Sequence, residues 1–178
     1  MNLFFRLLSI YFRATFGKRR IKAGQEDTLR FRVWFTDQDL FGHMTNSRYL
    51  SFSDLGTINY IIRSGFWKTL RRNNWFPVIT AQSMTIHRML TFPQTFEVIT
   101  TLVGADERYA GLRHEFIRDG RKHATVDVVA RFVGKGRQRI TPQALVDAAQ
   151  SDYRLHPLPL EHQRLVEGLE THQRAKVA

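Results

Sequence analysis

A helix that is apolar on more than one side leaves few architectures open, and residues 46–64 have that character. Tyr49, Phe52, Gly56 and Tyr60 share one helical face, while Leu50, Ile58, Ile61 and Ile62 lie across from it. A helix patterned this way is buried, not laid on a surface. Asn46 is a favourable N-cap for it and Ser64-Gly65 a stop. Gly56 in its middle costs roughly 1 kcal/mol against Ala, which points to close packing against a neighbour.

The segments around this helix alternate with a period of two. Leu29, Phe31, Val33 and Phe35 alternate with Arg30, Arg32, Trp34 and Thr36, so 29–36 reads as a strand. Further strands are expected over 76–89, 95–105, 107–118 and 121–134, with Asp119-Gly120 as a tight hairpin turn between the last two. Thr141-Pro142 opens a short helix, with Thr141 as N-cap and Pro142 at the first helical position. One strand, a buried helix and then antiparallel strands define an α+β class, with one sheet wrapped around one helix as in the hotdog architecture. The chain of 178 residues divides into an amphipathic basic N-terminal helix over 1–24, one domain over 25–150, and a polar arm with a short helix over 151–178.

The formal net charge is +11, which favours an anionic partner. Net charge alone does not make a nucleic-acid binder; no basic-aromatic module or groove-reading helix is recognisable, so nucleic acid is not an expected partner. The chain has no cysteine, which excludes disulfides, thiolate metal sites and cysteine nucleophiles. Residues 1–22 carry Arg6, Arg13, Lys18, Arg19, Arg20 and Lys22 and no acid. On a helix, Asn2, Arg6, Ser9 and Arg13 form one polar stripe, and Leu3, Phe4, Phe5, Leu7, Leu8, Ile10, Tyr11 and Phe12 cover the rest. A spanning helix needs about 20 mostly apolar residues, and Arg6 and Arg13 interrupt the run too early. A signal peptide would need an unbroken apolar stretch and a small-residue cleavage site. Two readings stay open: a helix lying in a membrane interface and anchored by the Lys18–Lys22 cluster, or a helix packed on the domain or a partner subunit. The expected location is cytoplasmic, at most peripheral to a membrane.

Chemistry concentrates between the first strand and the buried helix, in the run from Asp37 through Asp39, Gly42, His43 and Asn46 to Tyr49. This run resembles the D-x-D-x-x-G-H-x-x-N-x-x-Y signature of the 4-hydroxybenzoyl-CoA thioesterase group of hotdog proteins. Met44, Asn46, Arg48-Tyr49-Leu50 and Asp54 bring it closest to the branch typified by thioesterase superfamily member six. The resemblance extends over residues 29–147. Thr45 stands where the family commonly has the first of two Asn residues.

The resemblance implies an acyl-CoA thioesterase with Asp39 as the catalytic carboxylate, acting as nucleophile or as general base. It needs no cofactor and no metal beyond the coenzyme A of the substrate. His43 orients the carboxylate or lines the pocket. Asn46 holds water or caps the helix, the latter being the commoner use of such a residue. Backbone N–H groups over 42–46 are the expected oxyanion donors. Asp37 is a weaker candidate and a natural turn residue. Asp54, on an apolar stripe, is either a substrate-facing acid with a raised pKa or a buried structural acid. Gly42, Tyr49 and Phe52 join the expected substrate site, with Leu55, Phe66 and Trp67 beside the acyl chain. Arg88, Arg131, Lys135 and Arg137 could reach the coenzyme A phosphates, or be a solvated basic turn. Gly134-Lys-Gly-Arg137 is not a phosphate loop, no His-Glu-x-x-His pattern occurs, and His87, His114 and His123 are too scattered for a spacing argument. Acyl-CoA as substrate and a homodimer or tetramer complete the expectation. The alternatives are a non-catalytic, membrane-associated acyl-binding protein and a hotdog dehydratase acting on 3-hydroxyacyl thioesters, which needs a His and an acid converging on the substrate.

Overall fold

A computed structural model describes residues 3–175. Helix α1 (Leu3–Phe16) leads to strand β1 (Asp27–Arg32), then helices α2 (Asn46–Arg63) and α3 (Phe66–Asn73). Strands β2 (Phe76–Ile86), β3 (Thr95–Ala105), β4 (Ala110–Arg118), β5 (Arg121–Val133) and the short β6 (Arg139–Ile140) follow, and α4 (Pro142–Ala148) and α5 (Leu160–Ala175) end the chain. The sheet is antiparallel with order β1-β3-β4-β5-β2, and β6 pairs with β5.

Alternation places Phe96, Val98, Phe116, Ala124, Val126 and Val128 on the inner sheet face, where they enclose α2. Tyr49 and Phe52 of α2 close that core against Phe116 and Phe96, with ring centroids 5.1 Å apart in both pairs. Gly56 allows the close approach: a Cβ there would lie 2.5 Å from Thr100 Oγ1 and 3.1 Å from His114 Nδ1. The Asp119-Gly120 turn forms as the sequence implies, with both residues at positive φ, 50° and 67°. Thr141 caps α4, its Oγ1 accepting the Ala144 N–H at 3.1 Å.

Several boundaries differ from the sequence reading. The first strand ends at Arg32, because Trp34 leads into a 3-10 turn over Phe35–Asp37. Between α2 and β2 lies α3, started by Gly65 in the left-handed region at φ 85°. The C-terminal arm carries a helix longer than expected, α5, whose Leu165, Val166 and Leu169 pack with the preceding Leu158 against Val129 of β5 and Tyr109. The polar stripe assigned to α1 does not face water as a unit: Arg6 is buried with Ile10 and Ala14, whereas Phe4, Phe5, Leu8, Phe12 and Phe16 are exposed. Asn2, the first member of that stripe, lies outside the described residues.

Candidate active site

The loop between β1 and α2 is a tight, internally bonded structure. Gly42 turns it at φ 77°. The Met44 N–H donates to Leu90 O at 2.7 Å and the Thr45 N–H to Asp37 O at 3.0 Å, which pins the start of α2. Asp37 is fully buried within this frame. Its carboxylate takes Arg6 at 2.6 Å, Arg48 Nε at 3.2 Å and the Trp34 N–H at 2.9 Å. With both oxygens engaged, Asp37 is a structural ion-pair centre and not a substrate-binding group.

Asp39 sits at the exposed tip. Its Oδ1 accepts the Phe41 N–H at 2.9 Å and the His43 N–H at 3.1 Å, while its own N–H donates to His43 O at 2.9 Å. His43 therefore serves this carboxylate through its backbone and not its ring. The expected oxyanion amides are mostly committed: those of Gly42, His43, Met44 and Thr45 all have partners. Among the described residues, the Asn46 and Ser47 amides at the head of α2 are left open. Asn46 is not the N-cap. Thr45 holds that position with extended backbone (φ −64°, ψ 150°), and Asn46 is the first helical residue.

Tyr49 and Phe52 are also corrected, because both are fully buried. The Tyr49 hydroxyl oxygen accepts the Leu90 N–H at 3.2 Å, and burial raises its pKa. Phe52 lies under the Arg6 guanidinium, 4.8 Å from its ring centroid. Leu55 is likewise core.

The substrate-sized space lies one helical face further round. A cavity of about 340 Å³ opens between α2, α3, α4 and the inner sheet face, lined by Ile58, Ile61, Phe66, Trp67 and Leu70 among others. Its walls are nearly all apolar, which suits a hydrocarbon or aromatic acyl group. Asp54 lies on this lining and not in the core, and the surrounding apolar surface raises its carboxyl pKa. It is one turn from Thr57, another lining residue, whose Oγ1 shares a hydrogen bond with His114 Nε2 at 3.2 Å. His114 Nδ1 in turn meets Thr100 Oγ1 at 3.0 Å. Complete burial pushes the His114 pKa down to about 3, so the ring is neutral at physiological pH. Tyr60 also lines the cavity, but its hydroxyl oxygen accepts the Gly24 N–H at 2.8 Å, and burial lifts its pKa to about 12.

The four expected basic residues do not come together. Arg88 is exposed just beyond the end of β2, where its N–H donates to His123 O at 3.0 Å. Lys135 and Arg137 are exposed in a 3-10 turn. Arg131 lines a concavity, a pocket of about 430 Å³ that it shares with Arg108 and Arg139. Arg131 Nε is buried with no hydrogen-bond partner among the described residues. The sequence does not single out Arg108, and it shows Arg139 only as a further basic residue beside the 134–137 turn, because their neighbourhood arises from strand pairing and not from local spacing. Alternation along β5 and the Val133–Arg139 register are the signals that place Arg139 beside Arg131.

Residues 33–161 match the thioesterase-like superfamily, most of the chain. The chain belongs to that family, a class of thioester hydrolases on the hotdog fold. Among curated proteins it is similar to Protein THEM6 of Drosophila melanogaster, 25% identical over 142 residues that cover 79% of this chain and 70% of that protein. The fold is shared with the probable thioesterase YbaW of Escherichia coli, with TM-score 0.65, 14% identity, and coverage of 68% of this chain and 94% of that one. It is shared too with protein SAV2348 of Staphylococcus aureus, solved in complex with CoA, with TM-score 0.61, 18% identity, and coverage of 79% and 91%.

Proposed function

We propose that this chain hydrolyses a coenzyme A thioester whose hydrophobic acyl group occupies the cavity beside α2. The apolar cavity with Asp54 on its wall is the observation that carries this reading. Asp39 is the proposed catalytic carboxylate, on its match to the family signature. As base it takes a proton from the attacking water and passes it to the departing thiolate; as nucleophile it forms a mixed anhydride that water then hydrolyses, regenerating the carboxylate. The carbonyl π electrons move to oxygen, the open Asn46 and Ser47 amides receive the oxyanion, and its collapse breaks the C–S bond to release the thiolate. Coenzyme A enters as part of the substrate, and the chemistry requires no further cofactor.

Asp39 borders none of the cavities described in its own protomer. Leu40 and Phe41 beside it are 103% and 85% exposed, which supports a partner subunit covering the loop. The proposed assembly is a homodimer with Asp39 at the subunit boundary. The Arg108, Arg131 and Arg139 pocket is the proposed contact for the coenzyme A phosphates, since guanidinium forks match phosphate oxygens.

Coenzyme A release across a panel of acyl thioesters, wild type beside Asp39→Asn, tests the reading. Loss of turnover with retained acyl-CoA affinity is expected. Unchanged turnover in the variant would remove Asp39 from the chemistry. Binding without hydrolysis in the wild type would leave a non-catalytic acyl carrier. That second reading is favoured by one observation, the hold of two loop amides on the Asp39 carboxylate.

A further inference from the structure

Helix α1 is apolar on two opposite sides, and only one of them is used. The inner side is fixed: Arg6, Ile10 and Ala14 are buried, and the Arg6–Asp37 pair prevents the helix from rolling. The outer side carries Phe5, Leu8, Phe12 and Phe16, spaced three, four and four residues apart so that they form one stripe. They are 60%, 41%, 51% and 75% exposed, and the Phe12 and Phe16 rings stack on each other at 5.9 Å. A contiguous row of large apolar side chains in water marks a contact surface.

The charge around the stripe selects the partner. Arg13 flanks it, and Lys18, Arg19 and Lys22 follow its C-terminal end, all of them exposed. The first acid in the chain is Glu26. A second copy of this face would bring basic rim against basic rim with no counter-charge. An anionic bilayer offers hydrocarbon to the rings and negative headgroups to the rim. The helix has 14 residues, about 21 Å of axis, and no helix among the described residues is long and apolar enough to cross a membrane. The geometry therefore suits a helix lying in the plane of the interface.

We propose that the outer face of α1 docks this protein onto an anionic lipid bilayer, with Phe5, Leu8, Phe12 and Phe16 entering the headgroup–acyl boundary and Arg13, Lys18 and Arg19 meeting the headgroups. The proposal is independent of the hydrolase reading, since it needs no turnover.

Flotation of the full chain with phosphatidylcholine vesicles, with and without phosphatidylserine, tests it. The wild type floats with the anionic vesicles, less so with the neutral ones, and progressively less as added salt screens the headgroups. Phe12→Ser/Phe16→Ser loses about tenfold or more in partitioning, given what burying one aromatic ring contributes. It keeps the wild-type melting temperature, because neither ring belongs to the core. Lys18→Glu/Arg19→Glu loses the preference for anionic vesicles. Wild type that stays in the dense fraction with both vesicle types overturns the proposal. So does a Phe12→Ser/Phe16→Ser variant that floats as well as wild type. A wild type that fails to float, in which the same variant converts a larger oligomer to a smaller one by light scattering, also overturns it and makes the face an interface between copies.

Discussion

Arg6 on α1 and Asp37 before α2 meet inside the protein at 2.6 Å, 31 positions apart in sequence. Asp37 also takes Arg48 at 3.2 Å, so it balances two guanidinium groups while Arg6 has one carboxylate. The pair is thus asymmetric. Replacing one partner of a buried pair costs about 3–5 kcal/mol because the other charge stays buried. Asp37→Asn strands Arg6 with no counter-charge and is expected at that level. Arg6→Leu leaves Asp37 with Arg48 and is expected to cost less. Urea denaturation of both variants checks the order; equal costs would mean that Arg48 does not share the load.

Gly56 sits against Thr100 and His114 where a Cβ has no room, 2.5 Å from Thr100 Oγ1. Gly56→Ala should gain about 1 kcal/mol in helix propensity. Overpacking should outweigh that gain, at about 1–3 kcal/mol. The net effect is expected to be destabilising, with partial recovery in Gly56→Ala/Thr100→Ala, where the clashing oxygen is gone. A Gly56→Ala variant more stable than wild type would show that α2 can shift away from the sheet.

Much of the architecture was readable from periodicity, since α2 and the long strands have unambiguous patterns. The failures have physical causes. Arg6 was placed with the polar residues of α1 because no local pattern reveals that its counter-charge, Asp37, lies in a distant turn. The expected cavity lining holds for Asp54, Phe66 and Trp67 but not for Phe52 and Leu55, because a helix buried on both sides has no single apolar direction. Phe52 and Leu55 belong to the core, while Asp54, Ile58 and Ile61 face the cavity. Helix α3 was hidden behind the stop at Gly65, its short sequence carrying Lys68, Arg71 and Arg72. The D-x-D signature marked the loop, but only the coordinates separate a buried structural Asp37 from an exposed Asp39.

His114 makes a pH prediction. Its folded pKa is depressed to about 3 from 6.5, so the unfolded chain binds more protons between those values. Its contribution to stability is intact above the unfolded pKa and is lost as pH falls through that window, with a slope of about 1.4 kcal/mol per pH unit. His114→Gln lowers stability at neutral pH but flattens this acid limb. Chemical denaturation between pH 4 and 7, wild type beside variant, measures it; parallel slopes would assign acid sensitivity to other groups, such as His123, whose pKa burial also lowers.

Asp54 has the opposite sign. Asp54 is itself exposed where it lines the cavity, but its apolar neighbours partly desolvate the carboxyl and raise its pKa above the ordinary 3.8, so the folded protein binds more protons than the unfolded chain just above that value. Stability then falls as pH rises through the window, and the ionised carboxylate remains unfavourable above it. Asp54→Asn is therefore expected to be more stable than wild type at neutral pH and equal to it at the acid end. In the same variant KM for a thioester should change more than kcat, because the residue lines the cavity and is not the proposed catalytic carboxylate. Melting curves at two pH values and steady-state kinetics separate these effects.

The arginine pocket gives a prediction that separates the head of the substrate from its tail. Arg108, Arg131 and Arg139 line it, and Arg131 Nε lacks a partner among the described residues. A phosphate contact there acts on acyl-CoA but not on the same acyl group carried by N-acetylcysteamine, which has no phosphate. Losing a charge-assisted contact of about 1.5–3 kcal/mol corresponds to roughly a tenfold to hundredfold change. Arg139→Gln should raise KM for the acyl-CoA by about that factor and leave kcat/KM for the N-acetylcysteamine thioester unchanged. An equal loss on both substrates would trace the effect to β6 and the start of α4, which carry Arg139 and border the acyl cavity, and would return the phosphates to another surface.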